Sequence, residues 1–241
     1  MKILVTNDDG IYGEGLRYLV DFAKELGDVI VVAPKTEQSA KSHALNIKDP
    51  FTCEKVDVGF GVDTYVVDST PADCVRYAHY GLRVDIDLVL SGVNKGYNLG
   101  EDIMYSGTVA AATEAATLNI NSLAISSSRV NFNGLSDNLK KVYRYITDYK
   151  LFDIWNLYNI NIPNETDDLQ ILITSQGDCN FQTTFEPKGN VYYQCGVPCF
   201  ENSKEKLHLD TAAIMNGYVS ITPLVYNRTN YDIYKKIKSI K

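Results

Sequence analysis

Residues 1–34 read MKILVTNDDGIYGEGLRYLVDFAKELGDVIVVAP. Lys2–Thr6 (KILVT) is a short apolar run that stops at Asn7-Asp8-Asp9-Gly10, and Val29–Pro34 (VIVVAP) is a second run ending in a breaker. Both predict buried parallel strands. Between them Leu16, Leu19, Val20, Ala23 and Leu26 recur at helical spacing, with Gly27 placed as a C-terminal stop. Residues 2–34 therefore read as one β-α-β unit, long enough for the helical crossover that adjacent parallel strands require.

The same alternation continues outward. Short strand-like runs follow at Thr64–Asp68, Asp87–Ser91, Ser122–Ser126 and Leu169–Thr174. Thr70-Pro71-Ala72-Asp73 has a capping hydroxyl, a proline suited to the first helical position and an acid at the positive end of the dipole, so it predicts a helix start. A second start is Ser106-Gly107-Thr108 ahead of VAAATEAATL, with Asn119 or Asn121 as the stop. The fold class expected is α/β: a Rossmann-like, mostly parallel open sheet with helices on both faces. From about Ser175 to Asn216 the helical period fades and short aromatic runs such as Val191–Tyr193 appear, which predicts an extended hairpin excursion at 175–216. Gly217–Leu224 predicts a returning strand, and Tyr231–Lys241 a short terminal helix with Ile233, Tyr234, Ile237 and Ile240 on one face. With no repeats and no low-complexity linker, residues 1–241 read as one elaborated domain.

The chain has 241 residues, 23 Lys and Arg against 30 Asp and Glu, and a formal net charge of −7. An acidic balance opposes long-range attraction to phosphate, so no stable nucleic-acid or membrane partner is expected. The 5 cysteines are scattered, Cys195 and Cys199 have the wrong spacing for a CxxC motif, and no signal-peptide pattern opens the chain. A reducing, cytoplasmic location is the expectation.

Ligands of open parallel sheets gather at the carboxyl ends of the strands. After the first strand stand Asp8 and Asp9, adjacent like charges that a divalent cation would relieve; alternatively one caps the following helix and the other is solvated. After the second strand, Ser39 offers a hydroxyl, and Lys41 and His43 either face an anion or belong to a plain polar loop. After the run at 87–91 comes SGVNKGYNLGEDIMYSGT, residues 91–108, expected to be a functional loop. It supplies the amides of Asn94 and Asn98, and its Ser106-Gly107-Thr108 end opens a helix whose free N–H groups would seat a phosphate. There is no GxxxxGK[ST] loop, and no GxGxxG follows the first strand. A receiver-like Mg²⁺ module and a nucleotide-binding module without hydrolysis are the alternatives. The first would need a phosphate-accepting Asp and a later Lys at strand ends where Ser91 and Ser126 stand, and the second has no use for Asp8 and Asp9.

MKILVTNDDG at 1–10, VVAPKTEQSA at 31–40, STPADCV at 69–75, SGVNKGYNLGEDIMYSGTVAAATEA at 91–115, NINIP at 159–163 and GYVSITPL at 217–224 together resemble the SurE family of metal-dependent nucleoside monophosphate phosphatases. The resemblance implies a 5′-nucleotidase, in many members also a 3′-nucleotidase, that uses one divalent cation per subunit, Mg²⁺ or Mn²⁺. It implies Asp8, Asp9, Ser39 and Asn94 as metal ligands, and Asn98, Ser106, Gly107 and Thr108 as phosphate contacts. Catalysis would fall to Asp8, Asp9 and Asn98, with a metal-activated water as the attacking group and an aspartyl-phosphate as the less favoured route. It further implies a homodimer or homotetramer, with the 175–216 excursion embracing a neighbour. Two departures stand out: Thr174-Ser175-Gln176-Gly177 lacks the basic residues often found there, and Ala115-Ala116 stands where many relatives have a glycine.

Overall fold

The computed structural model describes residues 1–163 and 169–240. In chain order these form β1 (Lys2–Thr6), α1 (Glu14–Lys24), β2 (Asp28–Pro34), β3 (Cys53–Val56), β4 (Asp63–Val67), α2 (Pro71–Arg76), β5 (Leu88–Lys95), α3 (Gly107–Thr117) and β6 (Asn121–Ser127). Then come α4 (Leu135–Asp148), α5 (Leu151–Ile154), β7 (Leu157–Ile162), β8 (Ile171–Ile173), β9 (Cys179–Lys188), β10 (Val191–Phe200), α6 (Asp210–Met215), β11 (Val219–Pro223) and α7 (Tyr231–Lys238).

The main sheet runs β3-β4-β2-β1-β5-β6-β7-β11-β8. From β4 through β7 every pairing is parallel, while β3 on β4 and β11 on β7 are antiparallel. The chain leaves β1 towards β2 and later returns to its other side with β5, so strand order reverses between β1 and β5. A crevice opens at their carboxyl ends.

Alternate side chains of β1 go to opposite faces. Ile3 and Val5 pack with Leu16, Leu19 and Val20 of α1 and Leu139, Val142 and Ile146 of α4. Leu4 packs with Cys74 and Val75 of α2 and Ala111 and Ala115 of α3. Both layers are buried, which is why β1 and β2 read as continuous apolar runs rather than alternating ones. Thr70 caps α2 by accepting the Asp73 N–H at 3.1 Å, and Asn119 ends α3 in the left-handed region at φ 61°.

The sequence reading needs several corrections. The strand expected to end at Ser91 continues to Lys95. Its pairing with β6 shifts register between Gly92 and Asn94, and a side chain at Gly92 would stand 2.2 Å from the Ile125 carbonyl oxygen at φ +135°. Only glycine fits, and the extra residue re-aims the strand from Asn94 onward. The supposed loop at 91–108 is thus a strand end, a turn, one 3₁₀ segment at Gly100–Met104 and the start of α3. The strand expected at 169–174 is shorter, and β3, β7 and α4 went unread as elements. The 175–216 stretch does contain a hairpin, β9 with β10, forming a sheet of its own, but it also holds α6, too short to show a helical period. The terminal helix forms as expected up to Lys238, with none of its residues buried; Lys241 lies outside the described residues. All five cysteines are free thiols, and no helix among the described residues is long and apolar enough to cross a membrane.

Candidate active site

The crevice between β1 and β5 collects the acids. Asp8 stands two residues past the end of β1 and is only 6% exposed. Thr108, in the first turn of α3, donates its hydroxyl to Asp8 Oδ1 and adds its backbone N–H. Burial pushes the Asp8 carboxyl up to about 6; the Thr108 hydroxyl works against that rise, and the charge of Asp9 adds to it. Asp9 is less buried and accepts the Lys95 N–H at 3.3 Å. Its carboxyl is also raised, by burial first, with the Lys95 N–H opposing. Neither acid caps α1, whose N-cap is Gly13 without a side-chain hydrogen bond. The reading in which one Asp merely caps the next helix therefore fails.

Two neutral oxygens lie on segments that touch this pair through their backbone. The loop after β2 crosses over Asp8, since Gln38 N donates to the Asp8 carbonyl at 2.7 Å, and this brings in the exposed Ser39, whose hydroxyl donates to the Glu37 carboxylate. Asn94 donates its Nδ2 to the Gly96 carbonyl at 2.7 Å, which leaves Oδ1 as its unused acceptor. Among the described residues no group of three or more His, Cys, Asp or Glu side chains comes together. Two desolvated carboxylates, a hydroxyl and an amide oxygen remain, an all-oxygen set that suits a hard divalent cation and no soft one.

The phosphate half is built on α3. Ser106 caps the helix by accepting the Val109 N–H at 3.1 Å, leaving its own hydroxyl hydrogen to donate. Gly107 presses against Asp8 and α2: a side chain there would lie 2.8 Å from Asp8 Cβ and 3.1 Å from Pro71 Cγ. Thr108 gives both its hydroxyl and its backbone N–H to Asp8. Asn98 is buried and donates Nδ2 to Ser126 Oγ at 2.8 Å. Its backbone is held by β7: Asn161 Oδ1 accepts the Asn98 N–H at 2.9 Å, and Asn159 and Asn161 donate to its carbonyl at 2.8 and 2.9 Å.

His43 meets an acid of α3. Its Nε2 lies 2.7 Å from the buried Glu114 of α3, which also binds Arg76 of α2 at 2.8 Å. Burial raises the Glu114 carboxyl, but the His43 and Arg76 hydrogen bonds outweigh it and hold the group below its ordinary value. Ser42, next to His43, donates its N–H to the Tyr105 carbonyl at 2.9 Å and its hydroxyl to the Met104 carbonyl at 2.6 Å. The β2 loop is thereby stitched to the approach of α3. A cleft of about 570 Å³ begins at Ser106 and runs along Ala110 and Thr113, with His43 among its lining residues and Thr222 and Arg228 in its lining as well. Glu114→Ala would remove the partner shared by the half-exposed Arg76 and His43, and because the cations left behind reach water, urea unfolding at pH 7 should show a loss of about 1 kcal/mol.

Sequence reasoning missed Asn159, Asn161, Ser126 and Glu114 as parts of this framework. A signal existed for the first two: asparagines at i and i+2 share one face of a strand otherwise built of buried apolar residues.

A family model described as Survival protein SurE matches residues 3–183. The chain is 36% identical to a protein named 5′-nucleotidase SurE from Natranaerobius thermophilus, over 99% of this chain and 98% of that one. It is 36% identical to the one so named from Clostridium botulinum (strain ATCC 19397 / Type A), over 100% and 99%. The crystal structure of the SurE protein from Aquifex aeolicus superposes with a TM-score of 0.82 at 33% identity, covering 100% of this chain and 99% of that one.

Proposed function

This chain belongs to the SurE family and is a 5′-nucleotidase, a phosphoric monoester hydrolase, and from that premise we propose how its residues divide the work. Asp8, Asp9, Ser39 and Asn94 hold one divalent cation, Mg²⁺ or Mn²⁺. The observation that carries this reading is the meeting of two desolvated acids with the N-terminus of α3 at the reversal of strand order. When bound, the cation neutralises phosphate charge and acidifies a water.

The rest is the protein's own chemistry. The Ser106 hydroxyl and the Gly107 N–H take phosphate oxygens at the helix end, and the second N–H of Asn98 Nδ2 takes another. Thr108 orients Asp8. Asp9, the more exposed acid, takes the proton of a water that attacks phosphorus in line with the departing ribose oxygen, which leaves with the bonding electron pair and takes up a proton from solvent. Thr108 fixes Asp8 Oδ1, which disfavours Asp8 as a nucleophile. Recovery of labelled phosphate on the protein after acid quench would overturn direct attack by water. The substrates are nucleoside 5′-monophosphates, and 3′-monophosphates with them, with the nucleoside entering the cleft along α3.

Ser106→Ala tests the phosphate seat. KM for a nucleoside 5′-monophosphate should rise about tenfold, with the lost cap costing about 1 kcal/mol in a parallel unfolding curve. An unchanged KM would remove Ser106 from the site.

Residues 1–241 act as one domain working in the cytoplasm, and the 175–216 excursion joins subunits into a homodimer or homotetramer. Support for assembly lies in the exposed Phe185, Tyr192, Tyr193 and Val197 on a two-stranded hairpin, a form marginal in water alone. Light scattering on Tyr192→Asp and Phe185→Asp variants should report a smaller species than the wild type.

A further inference from the structure

Asp210 is 0% exposed and has no ion-pair partner among the described residues. Its carboxylate instead collects three backbone donors from separate places. Oδ2 accepts the Gly100 N–H at 3.1 Å, and Oδ1 accepts the Gly177 N–H at 2.8 Å and the Thr211 N–H at 2.7 Å. Burying an unpaired carboxylate is costly, and a six-residue helix whose N-cap is Leu209 does not call for a fully buried acid at its first position. What a neutral side chain cannot do is accept at both oxygens, from two loops on opposite sides.

The two loops differ in kind. Gly177 lies between β8 and the hairpin. Gly100 lies two residues after Asn98 and opens the 3₁₀ segment that leads into Ser106. That segment is pinned at one end by β7 through Asn98, and further on Glu101 accepts the Cys179 N–H and Asp102 accepts the Cys179 thiol at 3.3 Å. Asp210 supplies the fixed point between these two. It touches no residue proposed as a metal ligand.

We infer that Asp210 is a positioning residue for the phosphate half of the site alone, holding the 98–106 segment so that Asn98 and Ser106 meet the substrate together. This rests on the phosphate seat proposed above. Asp210→Asn keeps the volume but offers one acceptor oxygen and turns an NH₂ towards an N–H that had a partner. In the full-length protein, KM for a nucleoside 5′-monophosphate and the inhibition constant of inorganic phosphate should both rise at least about tenfold. The dissociation constant of Mn²⁺, read by paramagnetic resonance without substrate, should stay within about twofold.

Gly177→Ala should reproduce this split, because the added carbon would sit 2.4 Å from Thr211 Oγ1 and 3.1 Å from Asp210 Oδ1; it carries the test if Asp210→Asn does not fold. Thr211→Val, which removes a hydroxyl that has no hydrogen-bond partner among the described residues, should leave both constants unchanged. Unchanged phosphate affinity in a folded Asp210→Asn protein overturns the inference, and so does a loss of Mn²⁺ affinity equal to the loss for phosphate. The Ser106→Ala variant separates the layers. If it too leaves phosphate affinity intact, the seat itself is misassigned; if it weakens binding while Asp210→Asn does not, only the role of Asp210 falls.

Discussion

Asp8→Asn removes at least about a thousandfold of the divalent-cation-dependent turnover of nucleoside 5′-monophosphates while leaving the protein folded. The loss is expected because Asp8 is one of only two charged groups in the proposed cation seat. The retained fold follows from the sign of its pKa. In the metal-free protein burial lifts the Asp8 carboxyl from 3.8 to about 6. Between those values the folded chain keeps a proton that the unfolded chain has released, so stability falls as pH rises through that window, and above it the whole burden is carried. Two pH units correspond to a burden on the order of 2–3 kcal/mol. Asparagine removes it at the expense of a charge-assisted bond from Thr108, so at pH 7.5 the melting temperature of the metal-free variant should equal or exceed that of the wild type. Adding Mn²⁺ should raise the melting temperature of the wild type and not of the variant. Below pH 6 the cation competes with a proton on Asp8, and Mn²⁺ affinity of the wild type should decline. Turnover within tenfold of wild type, or a variant that melts well below it, would remove Asp8 from this role.

Gly107→Ala is the second large effect, and its sign is diagnostic. On helix propensity alone, alanine in the first turn would stabilise α3 by up to about 1 kcal/mol. Here the new methyl would meet Asp8 Cβ at 2.8 Å and Pro71 Cγ at 3.1 Å, so α3 has to back away from both the acid and α2. A displacement of about 1 Å at a reacting centre costs on the order of a hundredfold in kcat/KM, and the repacking about 1–3 kcal/mol. Steady-state kinetics and urea unfolding on the same preparation check both parts. A stabilised, active Gly107→Ala protein would show that the helix end does not abut the acids in solution.

The sequence made part of this legible and hid the rest for physical reasons. β1, α1 and β2 were readable because both faces of the strands and one face of the helix are apolar, and periodicity reports burial. The positions of Asp8, Asp9 and Ser39 after strands and of Ser106 at a helix cap followed from strand ends and capping chemistry, whereas Asn94, expected in a loop, lies in β5. The strand nature of Gly92–Lys95 was hidden by Gly92, which serves close backbone approach and looks like loop. β7 was hidden by Asn159 and Asn161, polar residues that are buried because they hold Asn98 rather than because they face water. Glu114 and Asp210 could not be read at all. Glu114 lies in a helix that looks ordinary and Asp210 in one too short to show a period, and each gets its meaning from partners far along the chain, Arg76 and His43 for one, Gly100 and Gly177 for the other.

α3 is fastened twice by charge: at its first turn Thr108 grips Asp8, and two turns on Glu114 grips Arg76 and His43. A rod held at two points can neither slide along the sheet nor roll on it without stripping a buried carboxylate of its partners. The dipoles that greet the phosphate are therefore already aimed before substrate arrives. Solvent would have to turn to meet the charge that develops as the ester bond breaks, whereas this helix end has no turning left to do, so the reorganisation part of the barrier was met when the chain folded.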